Sequence, residues 1–364
     1  MSFEQGPIRP PSEAQSLLIR VTRNCPWNRC RFCSVYKDAR FSRRSVDDVL
    51  ADIDSVAAWM EVFKRRGAAP AGAAPDPAAR QAALNWLVAG RRSVFLQDAN
   101  PLAVPAADIV ALLHRLRERF PSIERITTYA RSKTVARLTP EELTAMAEAG
   151  LNRIHIGFES GSDRILTLMD KGVTKAVQVE AGKRIKAAGI ELSAYYMPGL
   201  GGCDLWEENA LETADLMNQV DPDFIRMRTL AIPDRLELAA DVRAGRFSKA
   251  GDVENAREIK LFLEHLDGIS STVVSDHIVN LLQDLEGRLP EDRDRMVVQL
   301  ETFLGLDPEE QALYRLGRRG GLFAGLSDLL DPQSRAAAER LRREWGVTAA
   351  TIDDVTDELV KRFI

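Results

Sequence analysis

The chain is poor in cysteine and histidine, with four of each among 364 residues. Three of the cysteines fall within one stretch, Cys25 to Cys33, so they do not make the spaced framework of a disulfide-stapled secreted domain. Long apolar runs are also missing. None approaches the ~18 residues that cross a bilayer. The start, Met1-Ser2-Phe3-Glu4-Gln5-Gly6-Pro7, lacks the apolar centre of a secretory signal. Together these absences predict a reducing, cytoplasmic setting with no membrane partner. There is no basic excess either: 49 Lys and Arg against 54 Asp and Glu leave a net charge of −5, which weighs against a nucleic-acid partner. What is present is ordinary. Apolar residues make up 45% and charged residues 28%, which predicts a globular chain long enough for a barrel plus a smaller domain.

The scarce cysteine is concentrated. Cys25-Pro26-Trp27-Asn28-Arg29-Cys30-Arg31-Phe32-Cys33 follows the apolar run Leu17–Thr22, which predicts a first strand, and precedes a helical pattern from Ser45. Such a loop leaves the carboxyl end of a strand, where α/β folds place their chemistry. Three thiolates this close call for a soft metal or an iron–sulfur cluster. The Cys-x4-Cys-x2-Cys spacing leaves three readings open. One is a [2Fe–2S] electron-transfer protein with Cys203 as distant fourth ligand. Another is a [4Fe–4S] cluster with three protein ligands and one open iron. The third is structural zinc, which needs a fourth ligand that no nearby His or Cys pair supplies.

Along the chain, strand and helix patterns alternate. Residues 1–16 are polar and Pro-rich and predict a loose arm. Strands are expected at Leu17–Thr22, Ser93–Gln97, Arg125–Ala130, Arg153–Phe158, Ile190–Tyr196 and Phe224–Leu230, with helices between them. Thr139-Pro140-Glu141-Glu142 carries a capping-box signature, and Gly150 and Gly189 close helices. Gly67–Arg80 is an Ala/Pro/Gly stretch that predicts a surface excursion. Repeated strand–helix units build a parallel sheet with helices outside. Beyond Pro233 the pattern changes. A further strand is expected at Ser271–Val274 and short helices at Ile259–Leu266, Val279–Leu285, Arg293–Leu304, Glu309–Leu316, Ala336–Glu344 and Ile352–Phe363. The expected division is an arm at 1–16, an α/β unit at 17–237 and a mostly helical segment at 238–364 that caps it.

Period-two alternation sorts the strand side chains. With Ile154, Ile156 and Phe158 facing apolar helices, His155, Gly157 and Glu159 face inward. By the same reasoning Arg226 and Arg228 face inward from the sixth strand, Ser193 and Tyr195 from the fifth, Thr127 and Tyr129 from the third, and Arg20 and Thr22 from the first. Unpartnered buried charges cost several kcal/mol each, so such a lining predicts a polar, anionic small-molecule ligand held by His155 and Arg226; the plainer alternatives are a hydrogen-bonded core role for His155 and structural ion pairs of Arg226 and Arg228 with acids of the same lining. Ser275-Asp276-His277 ends the later strand, which makes Asp276 and His277, with Tyr195, candidate catalytic groups. A helix cap is the plainer reading of Ser275 or Asp276.

Four segments together resemble the radical SAM superfamily, over roughly residues 17–235. They are the cysteine loop with Phe32 before its last thiol, Gln97-Asp98-Ala99-Asn100, Gly157-Phe158-Glu159-Ser160-Gly161-Ser162, and Met197-Pro198-Gly199-Leu200-Gly201-Gly202. The likeness is to the core shared by methylthiotransferases, the elongator catalytic subunit and oxygen-independent coproporphyrinogen oxidases. The usual family spacing is Cys-x3-Cys-x2-Cys, one residue shorter than here. The resemblance implies an open (βα)6 partial TIM barrel. It implies a [4Fe–4S] cluster on Cys25, Cys30 and Cys33, with S-adenosylmethionine (SAM) on the fourth iron. It implies reductive cleavage of SAM to a 5′-deoxyadenosyl radical, with electrons from an external flavodoxin- or ferredoxin-type donor. Carried over by position, Asp98 corresponds to the segment meeting the methionine amino group, where the family often has Gly-Gly-Glu. Glu159 and Ser160 correspond to ribose contacts and Phe32 to the residue whose backbone approaches adenine. Arg228 corresponds by charge and place to a partner of the methionine carboxylate. The sequence has no second cysteine set for an auxiliary cluster.

Overall fold

The computed structural model describes residues 3–65 and 76–362. Short β-branched and aromatic runs form the strands β1 (Leu17–Arg20), β2 (Thr22–Arg23), β3 (Ser42–Arg43), β4 (Ser93–Gln97), β5 (Arg125–Ala130), β6 (Arg153–Glu159), β7 (Glu191–Tyr196), β8 (Phe224–Met227), β9 (Thr272–Val274) and β10 (Gly287–Arg288). One sheet has the order β1-β4-β5-β6-β7-β8-β9-β10, and β2 pairs with β3 as an antiparallel ribbon that brackets the cysteine loop. β1–β4, β4–β5, β5–β6 and β8–β9 run parallel, while β10 is antiparallel to β9. Neighbours consecutive in sequence and joined by helices give the strand order of the open (βα)6 partial TIM barrel. β9 continues that order beyond the sixth strand.

The chain divides into two compact units. The first comprises Met1–Asn28, Val35–Gly157 and Ala176–Ser193; the second comprises Arg29–Ser34, Phe158–Lys175 and Ala194–Ile364. In the first, helix Val46–Arg65 packs on helices Pro77–Val88 and Ala106–Arg119. Helix Pro77–Val88 replaces the end of the expected surface excursion, whose residues 67–75 lie outside the described ones. Asp76 caps it by accepting the Ala78 and Ala79 N–H groups, and Pro77 takes the first helical position, where a missing N–H costs nothing. The capping box at Thr139 and Glu142 forms as expected.

The arm before β1 is not loose. Gln97 exchanges bonds with both the N–H (2.6 Å) and the carbonyl (2.9 Å) of Gly6, and also donates to the Ile8 carbonyl at 2.5 Å. Further along, Ser16 bonds Ser93 at 2.7 Å, and Arg125 reaches the Ser12 carbonyl at 3.3 Å. Ser93, Phe95 and Gln97 share one face of β4, so the arm runs along the face that carries Phe95. Polar, Pro-rich composition predicted a loose arm. Side-chain bonds to the arm backbone and the burial of Phe3 and Glu13 supply the order instead.

In the second unit, helix Asp252–Glu264 packs between helices Trp206–Val220 and Arg293–Leu304 and is the crossover joining β8 to β9. It therefore belongs to the strand–helix repeat. Helix Pro308–Arg319 packs on helices Pro332–Trp345 and Ile352–Lys361 around Ala312, Leu316, Val347, Ile352 and Leu359. Arg315 and Arg319 of that helix grip the buried Asp252 carboxylate at 3.1 and 2.7 Å. Residues 279–285, expected as a helix, form turns. The Asn280 side chain explains this: it donates to the Met227 carbonyl (2.8 Å) and accepts the Thr229 N–H (2.8 Å), so it replaces a strand edge. Ser275 is absorbed in the same turn, donating to the Leu282 carbonyl at 2.6 Å.

Candidate active site

The cysteine loop is shaped by residues that tolerate left-handed backbone. Asn24 (φ 65°) and Asn28 (φ 48°) flank Cys25, and asparagine adopts this region at less cost than most side chains. None of the four cysteines is in a disulfide, and all are half-buried. Among the described residues no three His, Cys, Asp or Glu side chains stand close enough to form a closed metal cage. The loop thus offers thiol donors rather than a finished site.

In the first unit, Asp98 is fully buried at the end of β4. One of its oxygens accepts from Arg20 (2.8 Å) and from the Asn24 N–H (3.2 Å). Burial pushes its pKa up against the pull of Arg20. His155 lies on the same face as Phe95 and Tyr129, with ring centroids 6.3 and 5.8 Å away. Its Nε2 is 3.5 Å from Glu13, and both side chains are fully buried. Burial alone would raise the Glu13 pKa, but bonds from His155 and Ser16 and the charge of Arg125 hold it below the usual range. The expected substrate-binding His155 therefore has a partner within the fold.

In the second unit, the Cys33 N–H bonds the Cys30 carbonyl at 3.2 Å. Arg31 binds the Met169 and Leu168 carbonyls at 3.0 and 3.1 Å and pairs with Asp241 of helix Glu237–Arg243. Phe32 packs on an apolar cluster that includes Ile165, Met197, Leu230, Leu238 and Phe247. Ile165, Met197 and Leu230 follow β6, β7 and β8, so Phe32 shares one apolar cluster with residues just beyond those strands. Glu159 closes β6 in the left-handed region, φ 67°, with its carboxylate 3.0 Å from Lys171. The Lys171 ammonium lies 5.5 Å from the Phe32 ring centroid. Ser160 is buried and accepts the Ser162 N–H at 3.0 Å. Gly161 packs so tightly that a Cβ there would strike the Glu212 carbonyl.

Arg226 and Asp276 form an ion pair at 2.8 Å, with the arginine buried and the acid at the surface. His277 sits beside Arg228. Burial first and that charge second push its pKa down to about 4, so the ring is neutral near pH 7. Its Nδ1 lies 3.3 Å from the Val279 N–H, which puts the neutral ring's proton on Nε2. Arg228 is half-buried and has no ion-pair partner among the described residues. Tyr195 is buried on β7, opposite Tyr196, whose hydroxyl donates to Glu258 at 2.6 Å. Cys203 is engaged elsewhere, its Sγ 3.4 Å from the Lys249 carbonyl.

Sequence pattern missed Glu4, Glu13, Lys171, Asp241, Glu258 and Asn280. All act through partners distant in sequence. A carboxylate on the buried face of helix Asp252–Glu264 is the one such signal a helical wheel would have shown, at Glu258.

A sequence profile of the radical SAM superfamily matches residues 19–214. That is more than half of the chain, which therefore belongs to the radical SAM superfamily, enzymes that use a [4Fe–4S] cluster and SAM. A tRNA-2-methylthio-N(6)-dimethylallyladenosine synthase of Syntrophus aciditrophicus (strain SB) is 27% identical over 208 residues, 53% of this chain and 44% of that protein. The chain thus spans less than half the length of this curated relative. Among solved structures, the coproporphyrinogen III oxidase HemN of Escherichia coli aligns with TM-score 0.47 at 15% identity, covering 69% of this chain and 52% of that one. The archaeal Elp3 of Methanocaldococcus infernus, lacking its N-terminus, aligns with TM-score 0.40 at 16% identity over 51% of this chain and 48% of that one. None of these matches supports the [2Fe–2S] electron-carrier alternative.

Proposed function

We propose that Cys25, Cys30 and Cys33 each hold one iron of a [4Fe–4S] cluster, leaving the fourth iron to SAM. The observation that carries this reading is three cysteines outside any disulfide on one loop inside the matched region, with Cys203 engaged elsewhere. The donor set fits: soft thiolates suit iron, and three ligands leave one position open. When bound and reduced, the cluster supplies the electron that splits SAM into methionine and a 5′-deoxyadenosyl radical. Glu159 is the acceptor for the ribose hydroxyls, with Ser160 beside it, and the Phe32 backbone meets adenine. Arg228, lacking an ion-pair partner, takes the methionine carboxylate. Asp98, whose charge Arg20 shares, would meet the amino group.

The substrate in this reading is an anionic small molecule. Arg226 gives one nitrogen to Asp276 and keeps a buried Nε with no acceptor among the described residues, a donor that a carboxylate or phosphate would satisfy. Asp276, neutral His277 and Tyr195 handle protons in this reading. Residues 230–250 cover the strand ends and keep water from a reactive carbon radical. Electrons come from a flavodoxin- or ferredoxin-type donor in the cytoplasm.

Anaerobic reconstitution tests the ligand set. Wild type should hold four irons and four sulfides per chain and form 5′-deoxyadenosine from SAM with dithionite. Cys25→Ala, Cys30→Ala and Cys33→Ala should each lose both properties, and Cys203→Ala neither. Retention of the cluster in all three variants would refute the assignment.

A further inference from the structure

We infer that Glu4 is a positioning residue for the iron-holding loop: through Arg20, Arg23 and Asp98 it fixes the backbone that presents Cys25. The inference rests on the cluster reading above. The Glu4 carboxylate takes Arg23 in a forked pair, Nε at 2.8 and 2.9 Å and Nη2 at 2.7 Å, and takes Arg20 Nη1 at 2.7 Å. Arg20 turns its other nitrogen to Asp98 at 2.8 Å, and the same Asp98 oxygen accepts the Asn24 N–H at 3.2 Å. Asn24 is the left-handed residue directly before Cys25, and its side chain donates to the Arg40 carbonyl at 2.6 Å. The chain of contacts therefore runs from the arm, through two arginines, into the backbone of the residue that aims the first thiol.

Around this chain the charges balance. Glu4, Asp52 and Asp98 face Arg20, Arg23 and Arg44, with Arg44 2.6 Å from Asp52 and 3.7 Å from Glu4. Arg44 also donates to the Arg20 carbonyl at 2.8 Å, and its N–H to the Val21 carbonyl at 3.1 Å, locking the ribbon that leads into the loop. Gly6 allows the arm to come this close, since a Cβ there would sit 3.0 Å from the Asp98 carboxylate. Removing Glu4 takes from a partly dry site the one side-chain acceptor that Arg20 and Arg23 share among the described residues. Arg20 and Arg23, freed from their shared acceptor, then no longer hold Asp98 and the strand entering Asn24 in one geometry. Groups that orient a ligand from behind typically change metal affinity 10–100-fold when lost.

The experiment measures iron release to anaerobic EDTA from the reconstituted full chain, beside its melting temperature. Glu4→Gln should release iron about tenfold faster than wild type with a melting temperature within a few degrees of it. Glu4→Asp, which keeps the charge, should release at an intermediate rate. A Glu4→Gln release rate within twofold of wild type overturns the inference. So does faster release matched by an equal loss of melting temperature in both variants, which marks a merely structural strap. If wild type binds no iron, or Cys25→Ala binds as much, the cluster reading itself fails and takes this inference with it.

Discussion

Glu159 closes a strand with a backbone that side chains with a Cβ rarely adopt, and such residues persist where the surroundings over-determine them. Its carbonyl accepts the Met197 N–H at 2.9 Å, and its carboxylate is steered by Lys171. Loss of the carboxylate should leave the cluster in place. Glu159→Ala is expected to weaken SAM binding by about 1–3 kcal/mol, the scale of lost charge-assisted hydrogen bonds. Titration calorimetry showing unchanged affinity would remove Glu159 from the ribose role. Glu258 gives a second residue-scale expectation. Burial raises its pKa to about 7 despite donors from Tyr196, Gly199 and Asn209. Between its ordinary value of 4.5 and about 7 the folded chain holds a proton that the unfolded chain does not. Stability from this group is therefore full below 4.5 and lost as pH rises through 7. Urea unfolding at pH 5 and pH 8 should show a fall that shrinks in Glu258→Gln, whatever that variant's absolute stability.

At the scale of elements, the start of helix Asp252–Glu264 is fastened to helix Pro308–Arg319 by one acid and two arginines. Asp252 is buried, which raises its pKa, yet Arg319 and Arg315 outweigh that and lower it from 3.8 to about 2. The sign is the reverse of Glu258: this stability is present above 3.8 and disappears as pH falls toward 2. Asp252→Ala leaves two buried guanidinium groups short of an acceptor, a change of the kind that costs about 3–5 kcal/mol. Chemical denaturation at pH 7 checks the magnitude, and a loss below 1 kcal/mol would show that water replaces the acid. Arg318 and Arg319 also hold the turns after β9 through the Leu281 and Val279 carbonyls at 3.0 and 2.8 Å, so the clasp supports the segment carrying Asp276 and His277.

For the whole molecule, the position of helix Asp252–Glu264 decides what a truncation does. A purely capping C-terminal segment could be removed with the barrel intact. Here the chain beyond residue 250 supplies β9 beside β8 and the Glu258 carboxylate that satisfies Tyr196 and Asn209. Ending the chain after Ala250 exposes a strand edge and strands buried polar groups. The expected outcome is insoluble protein. A soluble, cooperatively melting 1–250 fragment in calorimetry would contradict this account.

The sequence by itself determined the strand–helix alternation, the cysteine loop after β1, the capping box at Thr139 and the shared face of Tyr129 and His155. Each is written in neighbouring residues: period-two strands, helix caps and thiols a few positions apart. The tertiary structure alone decided who partners the inward charges. Arg20 meets Glu4 and Asp98, His155 meets Glu13, and Arg226 meets Asp276. The alternation predicted an anionic ligand because these charges had no visible partners. Their partners come from the arm before β1, from β4 and from the turn after β9, and local pattern carries no information about which distant side chain will fill a given space. The same holds for residues 279–285, where Asn280 bonding to β8 outweighed a helical pattern.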